Sequence, residues 1–132
     1  MSTERTRVRV LDIVEENQEH LTELLGVARG KKFTELLTER DRIGIKTYGE
    51  SLHTHNGRNA WQDAVEEAAD LYMYVTQMCA ETVDAVVKRH EANGSDPLME
   101  VSELYGQFDR LLGNTLDTID ALYDVKDTYE QT

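Results

Sequence analysis

A single apolar stripe between residues 59 and 90 constrains the fold of this chain more than any other feature of its sequence. Apolar side chains recur there at steps of three and four residues, which places them on one face of an α-helix with about 100° of rotation per residue. We therefore predict a helix over about residues 59–90, long enough to form the spine of a helical bundle. The stripe consists of Trp61, Ala64, Val65, Ala68, Tyr72, Val75, Cys79, Val83 and Val86.

Three further segments carry weaker helical patterns. We predict a first helix over residues 11–29 that ends near Gly30, a second over about 32–48 that Gly49 ends in a left-handed cap, and a fourth over about 98–129. The segment 50–59 is rich in Ser, His, Thr, Asn and Gly and predicts a loop. The expected inward-facing residues of the second and fourth helices are Phe33, Leu36, Leu37, Ile43, Val101, Leu104, Phe108, Leu111, Leu112, Leu116, Ile119 and Leu122.

The sequence offers few points at which a helix must end. It contains one proline among 132 residues, so long windows lack a helix breaker. We therefore predict an all-α fold, an antiparallel bundle of about four helices that forms a single domain over residues 1–132. A bundle of this size has a shallow core, so we expect the protein to self-associate.

Cysteine usage and hydropathy indicate the compartment. Cys79 is the only cysteine and lies on the apolar stripe, so we interpret it as a buried structural thiol in a reducing compartment. The N-terminus is charged, and no apolar run approaches the length of a membrane span. We expect a soluble, cytoplasmic protein with no membrane partner.

Charge is distributed unevenly along the chain. The formal net charge is -12, from 14 basic and 26 acidic residues. Residues 1–58 hold 10 basic and 10 acidic residues, whereas residues 59–132 hold 4 basic and 16 acidic residues. This balance argues against nucleic acid as a partner, because Lys and Arg supply most of the affinity for phosphate. The acidic residues of the predicted helix over 98–129 have a structural explanation, since a negative surface keeps a protein soluble.

Four carboxylates lie on the third predicted helix, on the face opposite the apolar stripe. Neighbouring like charges on an exposed helix cost about 0.2–0.5 kcal/mol per pair, so an ordinary acidic surface explains them. A functional interpretation is also open, because Glu67 and Asp70 are one turn apart and could both ligate a hard cation such as Mg²⁺. The four carboxylates are Asp63, Glu66, Glu67 and Asp70.

The same segment resembles a known family. Residues 66–71, Glu-Glu-Ala-Ala-Asp-Leu, follow a basic segment that ends in Tyr48-Gly49 and a short Asn-Gly-Arg loop. This arrangement resembles the MazG-like branch of the all-α nucleoside triphosphate pyrophosphatases, in particular the small versions found in phage genomes, over residues 35–77. The resemblance implies cleavage of a nucleoside triphosphate to monophosphate and pyrophosphate with Mg²⁺, or Mn²⁺ in its place. It also implies a homodimer or homotetramer, in the host cytoplasm if the protein is phage-encoded.

The resemblance implies roles for individual carboxylates. Family members hold the metal with Glu-x-x-Glu on one helix and Glu-x-x-Asp on the next, and Glu67-x-x-Asp70 matches the second motif. The nearest match to the first is Glu35 with Glu39, spaced by four residues rather than three but still on one helical face. The incomplete first motif leaves an alternative open, a protein of the same fold that binds a nucleotide without hydrolysing it. The implied metal ligands are Glu67, Asp70, Glu66, Glu39, Glu35 and Asp63, with Glu66 or Glu39 as the water-activating base.

Residues around the predicted loop are candidates for substrate binding. Lys46 and Arg58 flank the loop and could neutralise a triphosphate. Tyr48 could stack on a base, and Asn59 follows directly on Arg58. Each has a structural alternative, because Lys46 also suits a helix C-terminus and Tyr48 the edge of a core.

Three functions follow from these patterns. The first is a Mg²⁺-dependent nucleoside triphosphate pyrophosphohydrolase, and the second is a non-catalytic protein that sequesters a nucleotide on the same fold. The third is an acidic helical interaction protein that mimics DNA. The carboxylates that suggest mimicry are Asp109, Asp117, Asp120, Asp124, Asp127 and Glu130.

Overall fold

The computed structural model describes residues 6–129, and over that range the chain is all-helical. Helix accounts for 83% of the described residues, and they form no strand beyond an isolated antiparallel bridge between Arg9 and His53. None of the helices in this range is both long and apolar enough to cross a membrane. The helices are α1 (Val10–Glu16), α2 (Gln18–Leu25), α3 (Val27–Tyr48), α4 (Ala60–Asn93) and α5 (Leu98–Tyr129).

The chain divides into two compact units between Arg58 and Asn59. The first unit contains α1, α2 and α3, and the second contains α4 and α5. The boundary coincides with the point at which the charge balance of the sequence changes. The single domain over residues 1–132 stays a prediction.

The predicted first helix is wrong, because the structure breaks it twice. Asn17 separates α1 from α2, and Gly26 separates α2 from α3 with φ 81° and ψ 166°. A positive φ is accessible to glycine because it lacks a Cβ, so Gly26 permits the break. α3 then begins at Val27 and runs through Gly30, the residue at which a helix end was expected.

Close packing of α2 on α3 explains why Gly30 lies inside a helix. A Cβ added to Gly30 would lie 3.4 Å from the Cα of Thr22. The Gln18 side chain donates a hydrogen bond across the same pair of helices to the Thr34 hydroxyl (2.8 Å). Gly30 and Leu11 are buried in this unit, whereas Phe33 and Leu36, which were expected to face inward, are exposed.

The end of α3 and the loop that follows it agree with prediction. Gly49 adopts the left-handed conformation with φ 85° and donates its N–H to the carbonyl of Ile45 (2.8 Å). Residues 50–55 lie along the N-terminal segment, where the N–H of Val10 donates to the carbonyl of Leu52 (2.9 Å). The N–H of Thr54 likewise donates to the carbonyl of Val8 (2.8 Å).

An ion pair joins α3 to both of these segments. Arg9 Nη2 donates to Asp41 Oδ2 at 2.6 Å, and the Ser51 hydroxyl donates to the same oxygen at 3.1 Å. The Asp41 side chain is only 11% exposed. The hydrogen bond from Arg9 is the main reason that the pKa of Asp41 lies below its ordinary value. Asp41 therefore stabilises the first unit in its ionised form.

The second unit is an antiparallel pair of long helices. Asn59 is the N-cap of α4, where its side-chain oxygen accepts from the N–H of Gln62 (3.0 Å). Gly94 ends α4 in the left-handed conformation with φ 68°. Residues 95–97 complete the connection to α5, which has the predicted bounds 98–129.

The apolar stripe of α4 faces α5 and is enclosed by it. All nine of its members are buried or half-buried, with Cys79 and Val86 the most enclosed. Burial raises the pKa of the Cys79 thiol above its ordinary value. Trp61 closes one end of the contact, donating to the carbonyl of Leu122 (2.5 Å) and packing edge-on against Tyr123 with ring centroids 5.7 Å apart.

The inward face of α5 differs from prediction at two leucines. Leu111 and Leu116 are exposed, although both were expected to face inward. Thr115 takes the buried position between them, and its hydroxyl is satisfied by the carbonyl of Leu111 (2.9 Å). A hydroxyl that bonds back to its own helix can be buried at little cost, so the polar residue occupies a place that hydropathy alone assigns to leucine.

Candidate functional site

The α4 carboxylates differ in their surroundings. Glu66, Glu67 and Asp70 are exposed, and Asp63 is half-buried. The Gln62 amide donates to Glu66 Oε1 at 3.2 Å, which holds that carboxylate along the helix. Glu67 and Asp70 make no hydrogen bond or ion pair within residues 6–129.

Glu67 and Asp70 form the most open pair of acidic side chains among the candidates. They lie one turn apart on α4, so their Cβ atoms are about 5–6 Å apart. Two exposed apolar side chains, Leu71 and Tyr74, stand beside them on the same part of the helix. The pair therefore combines free carboxylate oxygens with an apolar border.

The α3 carboxylates are less available. Arg42 donates to both oxygens of Glu39, from Nε at 2.9 Å and from Nη2 at 2.5 Å. The hydrogen bond from Arg42 lowers the pKa of Glu39 below its ordinary value. A carboxylate with a lowered pKa is a weak base, and its oxygens are already occupied. Glu35, one turn earlier, is exposed.

The basic and aromatic candidates lie at the end of α3 and in the following loop. Lys46 and Tyr48 occupy the last turn of α3 and are exposed, so Tyr48 does not lie at the edge of a core. A lysine in the last turn also complements the partial negative charge of the helix end. Arg58 is exposed, and its backbone N–H donates to the side-chain oxygen of Asn56 (3.0 Å).

The ten candidates belong to two units. Glu35, Glu39, Lys46, Tyr48 and Arg58 lie in the first unit, and Asn59, Asp63, Glu66, Glu67 and Asp70 lie in the second. The structure places Asn59 in the α4 cap, where its side-chain oxygen bonds the helix backbone.

No group of three or more His, Cys, Asp or Glu side chains arranged to hold a metal ion occurs in the described range. Of the four carboxylates that α4 brings to one face, Glu67 and Asp70 are both exposed and make no hydrogen bond or ion pair in the described range. Magnesium in phosphate-transfer sites is commonly held by one or two carboxylates together with substrate phosphates and water. The donor set of this pair fits that pattern.

The α4–α5 connection holds a polar cluster that the sequence analysis does not single out. With a neutral ring, His90 donates from Nε2 to Glu100 Oε2 (2.8 Å) and accepts at Nδ1 from the Ser95 hydroxyl (2.7 Å). Arg89 also donates to Glu100. The hydrogen bond from Arg89, followed by that from His90, holds the pKa of Glu100 below its ordinary value.

This cluster fixes the turn between the two helices. The residues are at most eleven positions apart in sequence, and the turn at Gly94 brings them together. The spacing of a histidine and a glutamate across an Asn-Gly-Ser-Asp-Pro turn is the sequence signal that points to the contact.

Comparison with family models, with curated proteins and with solved structures found no match to this chain.

Proposed function

We propose that this protein is a Mg²⁺-dependent nucleoside triphosphate pyrophosphohydrolase that converts a ribo- or deoxyribonucleoside triphosphate to the monophosphate and pyrophosphate. The observation that supports the proposal is the state of Glu67 and Asp70. These carboxylates are exposed, one turn apart and unpaired among the described residues, whereas arginines hold Glu39, Asp41 and Glu100. The resemblance of residues 35–77 to MazG-like pyrophosphatases supports the same function.

Glu67 and Asp70 would hold the metal ion. A bound Mg²⁺ polarises phosphoryl oxygens and lowers the pKa of a coordinated water.

Glu66 is the proposed base. In the reaction, the oxygen of a water molecule bonds to the α-phosphorus, and the bond from that phosphorus to the oxygen bridging to the β-phosphorus breaks. Pyrophosphate leaves, and Glu66 accepts the proton of the water. The contact from Gln62 restricts the orientation of this carboxylate without neutralising it.

The first test is an incubation of the purified protein with ribo- and deoxyribonucleoside triphosphates and Mg²⁺ or Mn²⁺, with monophosphate, diphosphate and pyrophosphate resolved. We expect monophosphate and pyrophosphate in equal amounts. Glu67→Gln should reduce turnover by about 100-fold or more, because loss of one metal ligand removes charge stabilisation of the transition state.

Glu91→Gln is the matched control, since Glu91 is also exposed on α4. It should retain full activity, and circular dichroism should show equal helix content in both variants. Turnover that survives in Glu67→Gln would refute the assignment of the metal ligands. Absence of turnover with every nucleotide and both metals would refute the enzymatic function.

A specific observation favours a second candidate, a protein that binds a nucleotide without hydrolysing it. Arg42 engages both oxygens of Glu39, the residue nearest to the first carboxylate motif. Saturable binding of a nucleotide by calorimetry, with no product after prolonged incubation, would support this candidate. Any pyrophosphate release that depends on Glu67 would exclude it.

A further inference from the structure

Helix α5 carries a second line of large apolar side chains that α4 does not cover. Leu98, Tyr105, Leu116 and Tyr123 are 67%, 55%, 50% and 46% exposed. They follow one another at steps of 7, 11 and 7 residues. At about 100° per residue these steps bring all four within about 20° of one another around the helix. We call these four residues the α5 stripe, and it extends over about 37 Å of the helix.

The α5 stripe lies between the core of the α4–α5 pair and an acidic edge. On the core side, Leu112 and Ile119 are half-buried. On the other side, at about 20–60° further around the helix, lie the exposed carboxylates Asp109, Asp120 and Asp127. The stripe is therefore an apolar continuation of the core, and carboxylates border it along one side, with Asp109 between Tyr105 and Leu116 along the helix.

The order of residues in the stripe selects its occupant. The spacing 7, 11, 7 reads the same in both directions along the helix. A second α5 packed antiparallel about a two-fold axis would therefore set Leu98 against Tyr123 of the second copy, and Tyr105 against Leu116 of the second copy. Because of the two-fold axis, each of these contacts occurs twice in the dimer, once with each copy supplying the leucine. Such self-complementarity is the requirement of a symmetric dimer interface, and each contact pairs an aliphatic with an aromatic side chain.

The exposed area of the stripe agrees with a dimer. With about 200 Å² for each fully exposed side chain, the four residues expose about 440 Å² per copy, or about 870 Å² for two copies. A standard interface buries about 1,600 Å² in total, of which about 60% is apolar. The stripe supplies nearly all of that apolar share.

We propose that the α5 stripe is the interface of a symmetric homodimer, in which α5 of a second copy packs antiparallel on it. This inference goes beyond the proposed function, because it concerns a surface distinct from Glu67 and Asp70 and holds whether or not the protein hydrolyses nucleotides. The second unit thereby becomes part of a bundle of four helices.

Register-specific disulfide formation in the full-length protein tests the proposal. In the double variant Tyr105→Cys/Leu116→Cys, the two introduced residues are about 16 Å apart on one helix and cannot bond within a chain. They face each other across the proposed two-fold axis. Mild oxidation should therefore convert most of the protein to a covalent dimer on a non-reducing gel. Native Cys79 is buried and has a raised pKa, so it should not contribute.

Leu98→Cys/Leu116→Cys is the matched control. Its residues are displaced by seven positions from the proposed register, about 10 Å along the helix, which exceeds the reach of a disulfide. It should form at least tenfold less covalent dimer. Equal cross-linking of the two variants, or none in either, would overturn the proposal.

Sedimentation equilibrium provides a second, independent measurement. The wild-type protein should be dimeric, and Leu116→Glu should weaken association by at least tenfold while its circular dichroism spectrum stays unchanged. Tyr74→Glu, on an exposed position of α4, should leave association unchanged. A monomeric wild type, or a dimer that survives Leu116→Glu, would show that a different partner or none covers the stripe.

Discussion

At the scale of single residues, Asp41 is a polar group that ties three segments of the first unit together. It accepts from Arg9 and Ser51 and is largely enclosed. Replacing the carboxylate with an amide removes the charge that pairs with the guanidinium of Arg9, and weakening such a charged hydrogen bond costs about 1–3 kcal/mol. We expect Asp41→Asn to lower the free energy of unfolding by that amount at neutral pH, as measured by urea denaturation.

The pH dependence of this effect has a definite sign. The folded pKa of Asp41 lies below the ordinary value of 3.8. Its contribution is therefore complete above pH 3.8 and is lost as the pH falls through the lowered folded value. The difference in unfolding free energy between wild type and Asp41→Asn should shrink in acid.

Asp12→Asn is the control, because Asp12 contacts the same arginine at 3.4 Å but is 54% exposed. It should change the free energy of unfolding by less than about 0.5 kcal/mol. Equal losses in the two variants would contradict this account.

At the scale of elements, replacing either of two glycines of α3 by alanine should change the stability of the protein, and in opposite directions. Gly49 caps α3 with φ 85°, where an added Cβ costs about 1 kcal/mol. Gly44 lies inside α3 with nothing within 4 Å of an added Cβ. Gly49→Ala should therefore destabilise the protein by about 1 kcal/mol, and Gly44→Ala should stabilise it by about 0.5–1 kcal/mol. Thermal denaturation of both variants checks the signs, and a stabilising Gly49→Ala would contradict the observed cap.

The long helices could be predicted from sequence because their signals are local and repeated. α4 shows its apolar stripe over seven turns, and the bounds of α5 follow from Pro97 and the pattern after it. The N-terminal helices could not be predicted in the same way. Their apolar pattern is partial. Sequence alone does not distinguish Gly26, which interrupts the helix between α2 and α3, from Gly30, which lies inside α3 and against α2. Only the packing of α2 on α3 distinguishes them.

In the candidate site, the spacing of residues within one helix could be predicted from sequence, and their side-chain contacts could not. Glu67 and Asp70 lie one turn apart because spacing within a helix is fixed by its geometry. The engagement of Glu39 by Arg42 was not predicted, although the two residues are three positions apart, because sequence does not reveal which rotamers a charged pair adopts. The exposure of Leu116 was also missed, since hydropathy shows that a side chain seeks burial and does not show what buries it.

At the scale of the whole molecule, association through an apolar surface competes with repulsion between chains of net charge -12. Salt screens that repulsion and leaves apolar contacts in place. We therefore expect added sodium chloride to strengthen the dimer, and the thermal midpoint to rise over an approximately hundredfold increase in protein concentration. Sedimentation at low and high salt checks the first effect and calorimetry the second. A complex that salt weakens would instead indicate docking of a basic partner.

Because Cys79 is enclosed between α4 and α5, the reactivity of its thiol reports how often these two helices separate. A thiol reagent can modify it only when the two helices separate locally, so the labelling rate divided by that of a free thiol gives the equilibrium population of the open hairpin. The measurement needs no substrate, no metal and no engineered probe. A ligand or partner that binds only the closed hairpin would slow the labelling of Cys79 by a factor of one plus the ratio of its free concentration to its Kd, so the labelling rate reports a partner and its affinity before its function is known.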